Sequence, residues 1–293
     1  MKRLEVGAHV SSSGGLWTAV GRAVAIEAEA MQLFPAAPQS WRVTKHTDEA
    51  YERFHREHDE AGLGEVWMHS TYLVNLATEN PEQLQKGIDA VVNGLTVADR
   101  AGALGLVLHT GSHKGAGLEA FLPQIAGAIT EIFERAPGTA TLALENAAGH
   151  GGVIGHSFAE LGAILHAVGD RRLNVCVDTC HAFAAGYNLA DREGVQQMFA
   201  EFDSEIGLDR LVVWHLNDSK LGLGENRDRH ENIGDGRIGT EGFEVWMEAA
   251  ASIPEIAANA MLLEVPGIED KGPDLENVRR AKAIRAAVTG VPG

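Results

Sequence analysis

Long apolar stretches are missing from this 293-residue chain, and cysteine is nearly so. No run approaches the roughly 18 uninterrupted apolar residues of a membrane-spanning helix, and no apolar segment follows Lys2 and Arg3, so neither a membrane partner nor a secretory signal is expected. The two cysteines, Cys176 and Cys180, are too far apart along one apolar segment to form a disulfide within a strand. The sequence therefore predicts reduced core thiols in a cytoplasmic protein.

Positive charge is also scarce. The chain has 24 Lys and Arg against 41 Asp and Glu, which gives a net charge of −17. Because phosphate binding usually shows as an excess of Lys and Arg, this balance by itself favours a small-molecule enzyme. DNA fits as a partner only if positive charge is concentrated at the site, for instance by bound metal ions.

What the chain does contain is a regular alternation of short apolar runs with helical patterns. Continuous apolar runs bounded by turn residues are typical of strands that are buried on both faces. Eight such units predict an α/β fold, the (β/α)8 or TIM barrel, with its active site at the C-terminal strand ends. The predicted strands are Leu4–Val10, Met31–Phe34, Glu65–His69, Leu104–His109, Thr141–Glu145, Leu173–Asp178, Leu211–Leu216 and Ala260–Glu264.

Several of the predicted helices have recognisable first residues. Ser157 opens a capping-box pattern, and Asp191 and Thr240 are expected to cap two further helices. No linker rich in Pro, Gly or Ser divides the chain. One domain is therefore predicted over residues 1–293, with 288–293 as a frayed tail.

The decisive feature is the residue at which each apolar run ends. Five of the eight runs end in a histidine or a carboxylate, Leu211–Leu216 has a histidine one position before its end, and the C-terminal strand ends of such a barrel converge on one mouth. A single one of these residues could simply be hydrogen-bonded in a loop, but six in equivalent positions indicate a site. They are His69, His109, Glu145, Asp178, His215 and Glu264.

Three more candidates follow the strand ends. His181 comes shortly after Asp178, and Asp228 and His230 alternate, so that an extended segment would place both on one side. Imidazole and carboxylate groups suit hard or borderline cations. Nine such ligands are too many for one zinc ion and fit three ions that share a bridging carboxylate and a bridging hydroxide. Such a site would carry a charge of about +1 and could attract phosphate to an acidic protein.

Five segments around these residues resemble the signature segments of the endonuclease IV family of abasic-site endonucleases. The aspartate–threonine–cysteine–histidine segment is highly specific, and the similarity extends from Gly7–Ser11 to Leu263–Glu264. The segments are Leu108–His113, Leu144–Gly149, Val177–Tyr187, His215–Lys220 and Arg227–His230.

The resemblance implies a TIM barrel with three Zn²⁺ ions, for which Mn²⁺ is a partial substitute, acting as a monomer on double-stranded DNA with abasic sites or blocked 3′ ends. It implies hydrolysis of the phosphodiester 5′ to the abasic site by a metal-bridging hydroxide, leaving a 3′-hydroxyl and a 5′-deoxyribose phosphate. Glu145, as the bridging ligand, and Glu264 are expected to be catalytic. The implied ligand sets are His69, His109 and Glu145 for the first ion; Glu145, Asp178, His215 and Glu264 for the second; and His181, Asp228 and His230 for the third.

The same resemblance implies contacts with DNA. Tyr72 and Leu73 are similar to the family pair that inserts into the DNA stack at the lesion, with ordinary loop packing as the alternative. Lys220 and Arg229 are expected to contact phosphates, unless they are lone surface charges.

One loop departs from the family pattern. Where a polar loop rich in Lys, Asn, Gln and Arg is expected ahead of Trp41, the chain has Pro35-Ala36-Ala37-Pro38-Gln39-Ser40. Gln39 takes the position of an arginine expected to enter the gap left by the flipped nucleotide. The departure therefore concerns the grip on DNA and not the metal chemistry.

Two other functions stay open on the sequence. One is a metal-dependent sugar isomerase or epimerase on the same barrel, and the other is a non-catalytic nucleic-acid-binding module. Sugar isomerases usually need one or two ions and a general acid/base pair, so the third ligand group of His181, Asp228 and His230 favours the nuclease. Tyr72 and Leu73 favour it too, because a sugar pocket does not need them.

Overall fold

Eight parallel strands close into one barrel. The computed structural model describes residues 4–290. Going round the barrel, the strand order is β1-β10-β7-β6-β5-β4-β3-β2, with parallel pairing throughout, so the predicted TIM barrel is confirmed. The barrel strands are β1 (Val6–His9), β2 (Ala30–Leu33), β3 (Val66–His69), β4 (Gly105–Leu108), β5 (Thr141–Glu145), β6 (Leu173–Asp178), β7 (Leu211–His215) and β10 (Met261–Leu263).

A small antiparallel ribbon, which the sequence did not predict, follows β7. Its strands are β8 (Asp218–Ser219) and β9 (His230–Glu231). Two residues per strand are too few to show an alternating pattern, which explains why the sequence gave no sign of them. The ribbon returns the chain to the barrel mouth and carries His230 there.

Helices cover the outside of the barrel. No helix within residues 4–290 is long and apolar enough to cross a membrane. The helices are α1 (Trp17–Ala25), α2 (Asp48–Ala61), α3 (Pro81–Ala101), α4 (Leu122–Arg135), α5 (Phe158–Val168), α6 (Thr179–Ala185), α7 (Arg192–Glu205), α8 (Gly239–Ser252) and α9 (Leu275–Thr289).

Two of the three predicted helix caps are confirmed and one is wrong. Ser157 accepts a hydrogen bond from the backbone at the start of α5, and Asp191 does the same for α7. Thr240 lies inside α8, which begins at Gly239. The α8 start needs no capping hydroxyl there, because the N–H of Ile238 donates to the buried carboxylate of Asp218 (3.0 Å).

The C-terminal helix extends further than the sequence indicated. α9 continues through Val288 to Thr289, two residues into the expected tail, because Val288 packs against the apolar core. Gly290 then ends the helix in the left-handed conformation that glycine favours. The rest of the expected tail, 291–293, lies outside the described residues, and the single domain stays a prediction.

Both cysteines are buried and unpaired, as predicted. Burial raises the pKa of the Cys176 thiol to about 12, and burial does the same for Cys180. Neither thiol is therefore ionised near neutral pH, which is the behaviour of inert core cysteines.

The interior of the barrel explains where the polar residues go. Alternate residues of a strand face the same side, and an apolar cluster separate from the outer core fills the barrel. Seven members of this inner cluster are followed, two positions later in the same strand or just beyond it, by a polar residue. These seven polar side chains form the next layer towards the mouth. The pairs are Ala30/Gln32, Trp67/His69, Val107/His109, Ala143/Glu145, Cys176/Asp178, Val213/His215 and Leu262/Glu264.

Candidate metal centre

Glu145 lies at the centre of the polar layer. Its Oε2 is 3.1 Å from His69 Nε2 and 3.3 Å from His109 Nε2. Its Oε1 is 3.1 Å from His215 Nδ1 and 3.2 Å from His181 Nδ1. Burial alone would raise the pKa of this carboxyl, but His109 and His215 outweigh burial and hold the pKa well below its usual range. The two oxygens of Glu145 thus face two different groups of histidines, as a bridging carboxylate would.

The structure brings together the sets expected for the first and second ions. Ligand atoms of His69, His109 and Glu145 lie within 4.8 Å of one another, and so do those of Glu145, Asp178, His215 and Glu264. In the second set, His215 Nδ1 is 3.4 Å from Glu264 Oε2 and 4.0 Å from Asp178 Oδ2. One carboxylate, Glu145, belongs to both sets.

The third group closes around the loop that carries Asp228. Its Oδ2 is 3.3 Å from His181 Nε2, and its Oδ1 is 3.3 Å from His230 Nε2. Asp178 Oδ2 also approaches His230 Nε2, at 3.4 Å. Burial would lower the pKa of His230, but Asp178 and Asp228 raise it to about 9. Asp178 therefore lies between the second and third groups, a position the sequence did not predict.

Four of the histidines are held by one ring nitrogen and present the other to the cluster. A carbonyl or amide oxygen only accepts hydrogen bonds, so the nitrogen that faces it carries the proton and the other nitrogen has a free lone pair in the neutral ring. Such bonds orient metal-binding imidazoles. The contacts are His69 Nδ1 to Ser70 O (2.8 Å), His181 Nδ1 to Asn146 O (3.0 Å), His230 Nδ1 to Glu264 O (3.2 Å) and His215 Nε2 to Gln32 Oε1 (2.9 Å).

The chemistry of this cluster fits divalent metal ions. Nitrogen and carboxylate oxygen atoms are the ligands that Zn²⁺ and Mn²⁺ accept. The Nε2 atom of His230 is buried and makes no hydrogen bond within the described residues, although it faces two carboxylates. A bound cation would satisfy it. The nine side chains singled out in the sequence thus form one contiguous site.

Two cavities open onto the cluster, and both are lined by Asp228, His109 and His181. One, of about 910 Å³, is lined by the Pro35–Pro38 segment, Tyr72 and His9. The other, of about 440 Å³, is lined by His150 and Arg229, and both cavities reach Asp228. An extended substrate could therefore pass over the cluster and occupy both.

Tyr72 and Leu73 project at the rim of the larger cavity. Their exposed fractions are 55% and 37%, large values for apolar side chains beside a cluster of buried ones. The Tyr72 ring lies 5.6 Å from the ring of His69 and 6.3 Å from that of His109. This position suits a wedge at the mouth, but its role towards DNA stays a prediction.

The other residues expected to contact DNA lie in exposed loops. Lys220 is exposed, with its Nζ 3.8 Å from a carboxylate oxygen of Glu231. Arg229 donates to the backbone carbonyl of Asp228 (2.6 Å) and lines the smaller cavity. Gln39 is exposed in the proline-containing loop. All three are open to solvent.

Sequence reasoning missed the amides that hold the carboxylates. Asn217 donates to Asp178 Oδ2 (2.7 Å), and its Oδ1 accepts from the backbone N–H of Glu264 (2.8 Å). Asn146 is bonded to the backbone of Asp178 on both sides of its amide. Each asparagine comes one or two positions after a strand-end ligand, and that spacing could have pointed to them.

Asp218 is a further missed residue. Its carboxylate is fully buried with no cation beside it in the described chain, and it accepts from the backbone N–H groups of Ser219, Gly234, Gly236 and Ile238. It thereby closes the loop that carries the third ligand group.

The amino-acid sequence is similar to one protein family over most of its length. The family model described as xylose isomerase-like TIM barrel matches residues 20–283. The "Probable endonuclease 4" of Halothermothrix orenii is 37% identical over 276 residues, which cover 94% of this chain and 98% of the relative. The protein of the same description from Halorhodospira halophila is 42% identical over 265 residues, 89% of this chain and 88% of the relative.

Solved structures agree. The crystal structure of endonuclease IV from Thermus thermophilus superposes with a TM-score of 0.83 at 31% identity, covering 96% of this chain and 98% of that one. A D-tagatose 3-epimerase-like protein superposes with a TM-score of 0.76 at 19% identity, over 98% and 99% of the two chains. The second likeness shows the fold alone.

Proposed function

The chain belongs to the endonuclease IV family of xylose isomerase-like TIM barrels, and on that premise we propose that it is a metal-dependent DNA-repair endonuclease. It would hydrolyse the phosphodiester 5′ to an abasic site in double-stranded DNA, leaving a 3′-hydroxyl and a 5′-deoxyribose phosphate. Three zinc ions, when bound, would supply an acidified water as nucleophile and positive charge for the phosphate.

The observation that carries this proposal is the shared use of Glu145. One oxygen faces Nε2 of His69 and His109, and the other faces Nδ1 of His215. A carboxylate that binds one cation with each oxygen holds the two cations close together. This arrangement would bring a metal-activated water and the DNA phosphate into contact. No side-chain nucleophile is then required.

The distribution of positive charge supports DNA as the partner. Of the Lys and Arg residues in the described chain, nine have no carboxylate within ion-pair distance, and seven of these lie in, or bond to, loops at the C-terminal strand ends. The seven are Arg22, Arg42, Lys45, Lys114, Arg227, Arg229 and Arg237. Cations elsewhere are mostly neutralised, so the mouth can bind phosphates although the whole chain is acidic.

A nicking assay tests the proposed function. A duplex with one abasic analogue should be cut once, 5′ to the lesion, and a DNA polymerase should extend the new 3′-hydroxyl directly. A zinc chelator should abolish the cut. A cut on the 3′ side, or epimerisation of a ketose by the same preparation without any nicking, would contradict the proposal.

Arg229 gives the first prediction about DNA binding. Arg229→Ala should lower the slope of log affinity against log salt by about one unit, because one phosphate contact is lost. Arg56→Ala is the control, since Arg56 also lacks a carboxylate partner but lies on α2. Titrations at several salt concentrations, with zinc content checked in both variants, measure the slopes. Equal slopes for Arg229→Ala and wild type would remove Arg229 from the DNA interface.

Tyr72 gives a second prediction about DNA binding. Tyr72→Ala should weaken binding to a duplex with an abasic analogue more than binding to an intact duplex, because the exposed ring stacks only where the helix is interrupted. Its zinc content should not change, since within residues 4–290 Tyr72 makes a hydrogen bond to Pro38 and none to a candidate ligand. Equal loss for both duplexes would mean that Tyr72 only packs the loop.

The proline-containing loop, residues 35–40, gives a third prediction about DNA binding. Gln39→Arg should tighten binding to abasic duplex and steepen its salt dependence, with little change in single-turnover cleavage, because it adds a cation in a segment that supplies none of the nine candidate ligands. Gln39→Lys separates charge from the planar shape of arginine. Unchanged or weaker affinity for Gln39→Arg would show that another segment, near Arg42 or Lys45, already fills this role.

A further inference from the structure

Gln32 is a polar residue in the middle of an apolar strand. It lies on β2 between Met31 and Leu33, and its side chain is fully buried. A buried amide is destabilising unless its donors and its oxygen are hydrogen-bonded. The side-chain contacts of Gln32 all go to residues at the barrel mouth.

The amide group touches two members of the polar layer and His9 beside them. Its Nε2 is 2.7 Å from Glu264 Oε1 and 2.9 Å from His9 Nδ1, and its Oε1 is 2.9 Å from His215 Nε2. His9 Nδ1 is itself 2.9 Å from Glu264 Oε1. A carboxylate only accepts, so the NH₂ end must face Glu264 and the oxygen must face His215.

Two consequences for the ligands follow from this orientation. His215 must carry its proton on Nε2, so its Nδ1 lone pair faces Glu145 and Glu264. Glu264 has Oε1 occupied by Gln32 and His9, so only Oε2 remains free towards the cluster. Gln32 thus acts on two ligands of the same group at once.

We propose that Gln32 is a positioning residue for the second ion group, fixing both the tautomer of His215 and the orientation of Glu264. This inference rests on the proposed metal-dependent function. Partners of this kind change metal affinity by about 10- to 100-fold when removed, because the ligands must otherwise be ordered on binding.

The test compares Gln32→Met and Gln32→Leu with wild type. Both substitutions remove the amide. Methionine keeps the unbranched length of glutamine and leucine is shorter and branched, so the two test different ways of filling the same space. Gln124→Met is the matched control, because its amide donates to the backbone carbonyls of Leu76 and Thr78 and not to a ligand. Zinc per chain is measured over a series of buffered free-zinc concentrations.

In the Gln32 variants we expect one of the zinc-binding midpoints to rise by about 10- to 100-fold while the others stay at their wild-type values. Long-range proton–nitrogen NMR of the zinc-free protein, recorded at a pH high enough for His215 to be neutral, should show the Nε2–H tautomer of His215 in wild type and Gln124→Met, but a mixture in Gln32→Met. Unchanged midpoints with an unchanged tautomer would overturn the inference. So would an equal weakening of every ion with a lower melting temperature, which would indicate general structural damage.

The zinc readout keeps this inference separate from the proposed function. If wild-type protein holds its zinc but does not nick abasic DNA, the proposed function fails. A midpoint shift in Gln32→Met would still support the positioning role.

Discussion

Replacing Glu145 by glutamine is expected to lower the nicking rate by several orders of magnitude. Glutamine has nearly the same shape, but its amide offers one accepting oxygen in place of two and carries no charge. The side facing His69 and His109 or the side facing His215 would lose its carboxylate oxygen. Single-turnover nicking of a duplex with one abasic analogue measures the effect.

Glu201→Gln is the matched control for this substitution. Glu201 lies on α7, accepts a hydrogen bond from the Tyr187 hydroxyl and belongs to none of the candidate ligand groups. It should nick at the wild-type rate. Activity of Glu145→Gln within about tenfold of wild type would contradict a shared ligand at the centre of the site, because a tenfold change is only about 1.4 kcal/mol.

Zinc-free protein is expected to lose stability as the pH rises, whereas zinc-loaded protein is not. Without metal, the protonated forms of His181, His215 and His230 balance the buried carboxylates, and their pKa values are raised above the ordinary value of 6.5, that of His230 to about 9. A histidine whose pKa is raised by folding stabilises the folded state fully at a pH below its pKa in the unfolded chain. This stabilisation is lost once the pH exceeds its pKa in the folded protein. The loss therefore falls between about pH 7 and pH 9.

The size of this effect follows from the shift of His230. A rise from 6.5 to about 9 corresponds to a few kcal/mol, and the three coupled histidines will not add independently. Denaturant unfolding of zinc-free protein at both ends of the window measures it. Zinc requires neutral imidazoles, so the zinc-loaded protein should become more stable relative to the zinc-free form over the same range. Zinc-free stability that stays constant or rises would mean that these histidines are neutral in the fold.

The barrel was predictable because its strands are short, largely apolar runs. Burial on both faces gives this pattern, and the ends of β5 and β6 were predicted to the residue. The two-residue strands β8 and β9 have no such signal, and the start of α8 depends on Asp218, which lies twenty positions earlier than Ile238 in the sequence. Long-range contacts of this kind leave no local trace.

The clustering of the candidate ligands was predictable because barrel strands end at one mouth, so residues at equivalent positions in the sequence lie close together. The central place of Asp178 was not, since it depends on how the Asp228 loop folds back to bring His230 within 3.4 Å. Gln32 and Asn217 were missed because neither is a typical metal ligand, although Gln32 interrupts an apolar strand at an inward-facing position. A polar residue there is as informative as a histidine.

The most direct test of a site with shared ligands is to follow nicking as zinc-free protein is titrated with zinc. Bound zinc per chain and the nicking rate of an abasic duplex are measured on the same samples. The arrangement around Glu145 and Asp178 predicts that nicking is absent without zinc and reaches its full rate only near three bound ions per chain. Full activity with a single bound ion, or nicking that survives complete removal of metal, would contradict it.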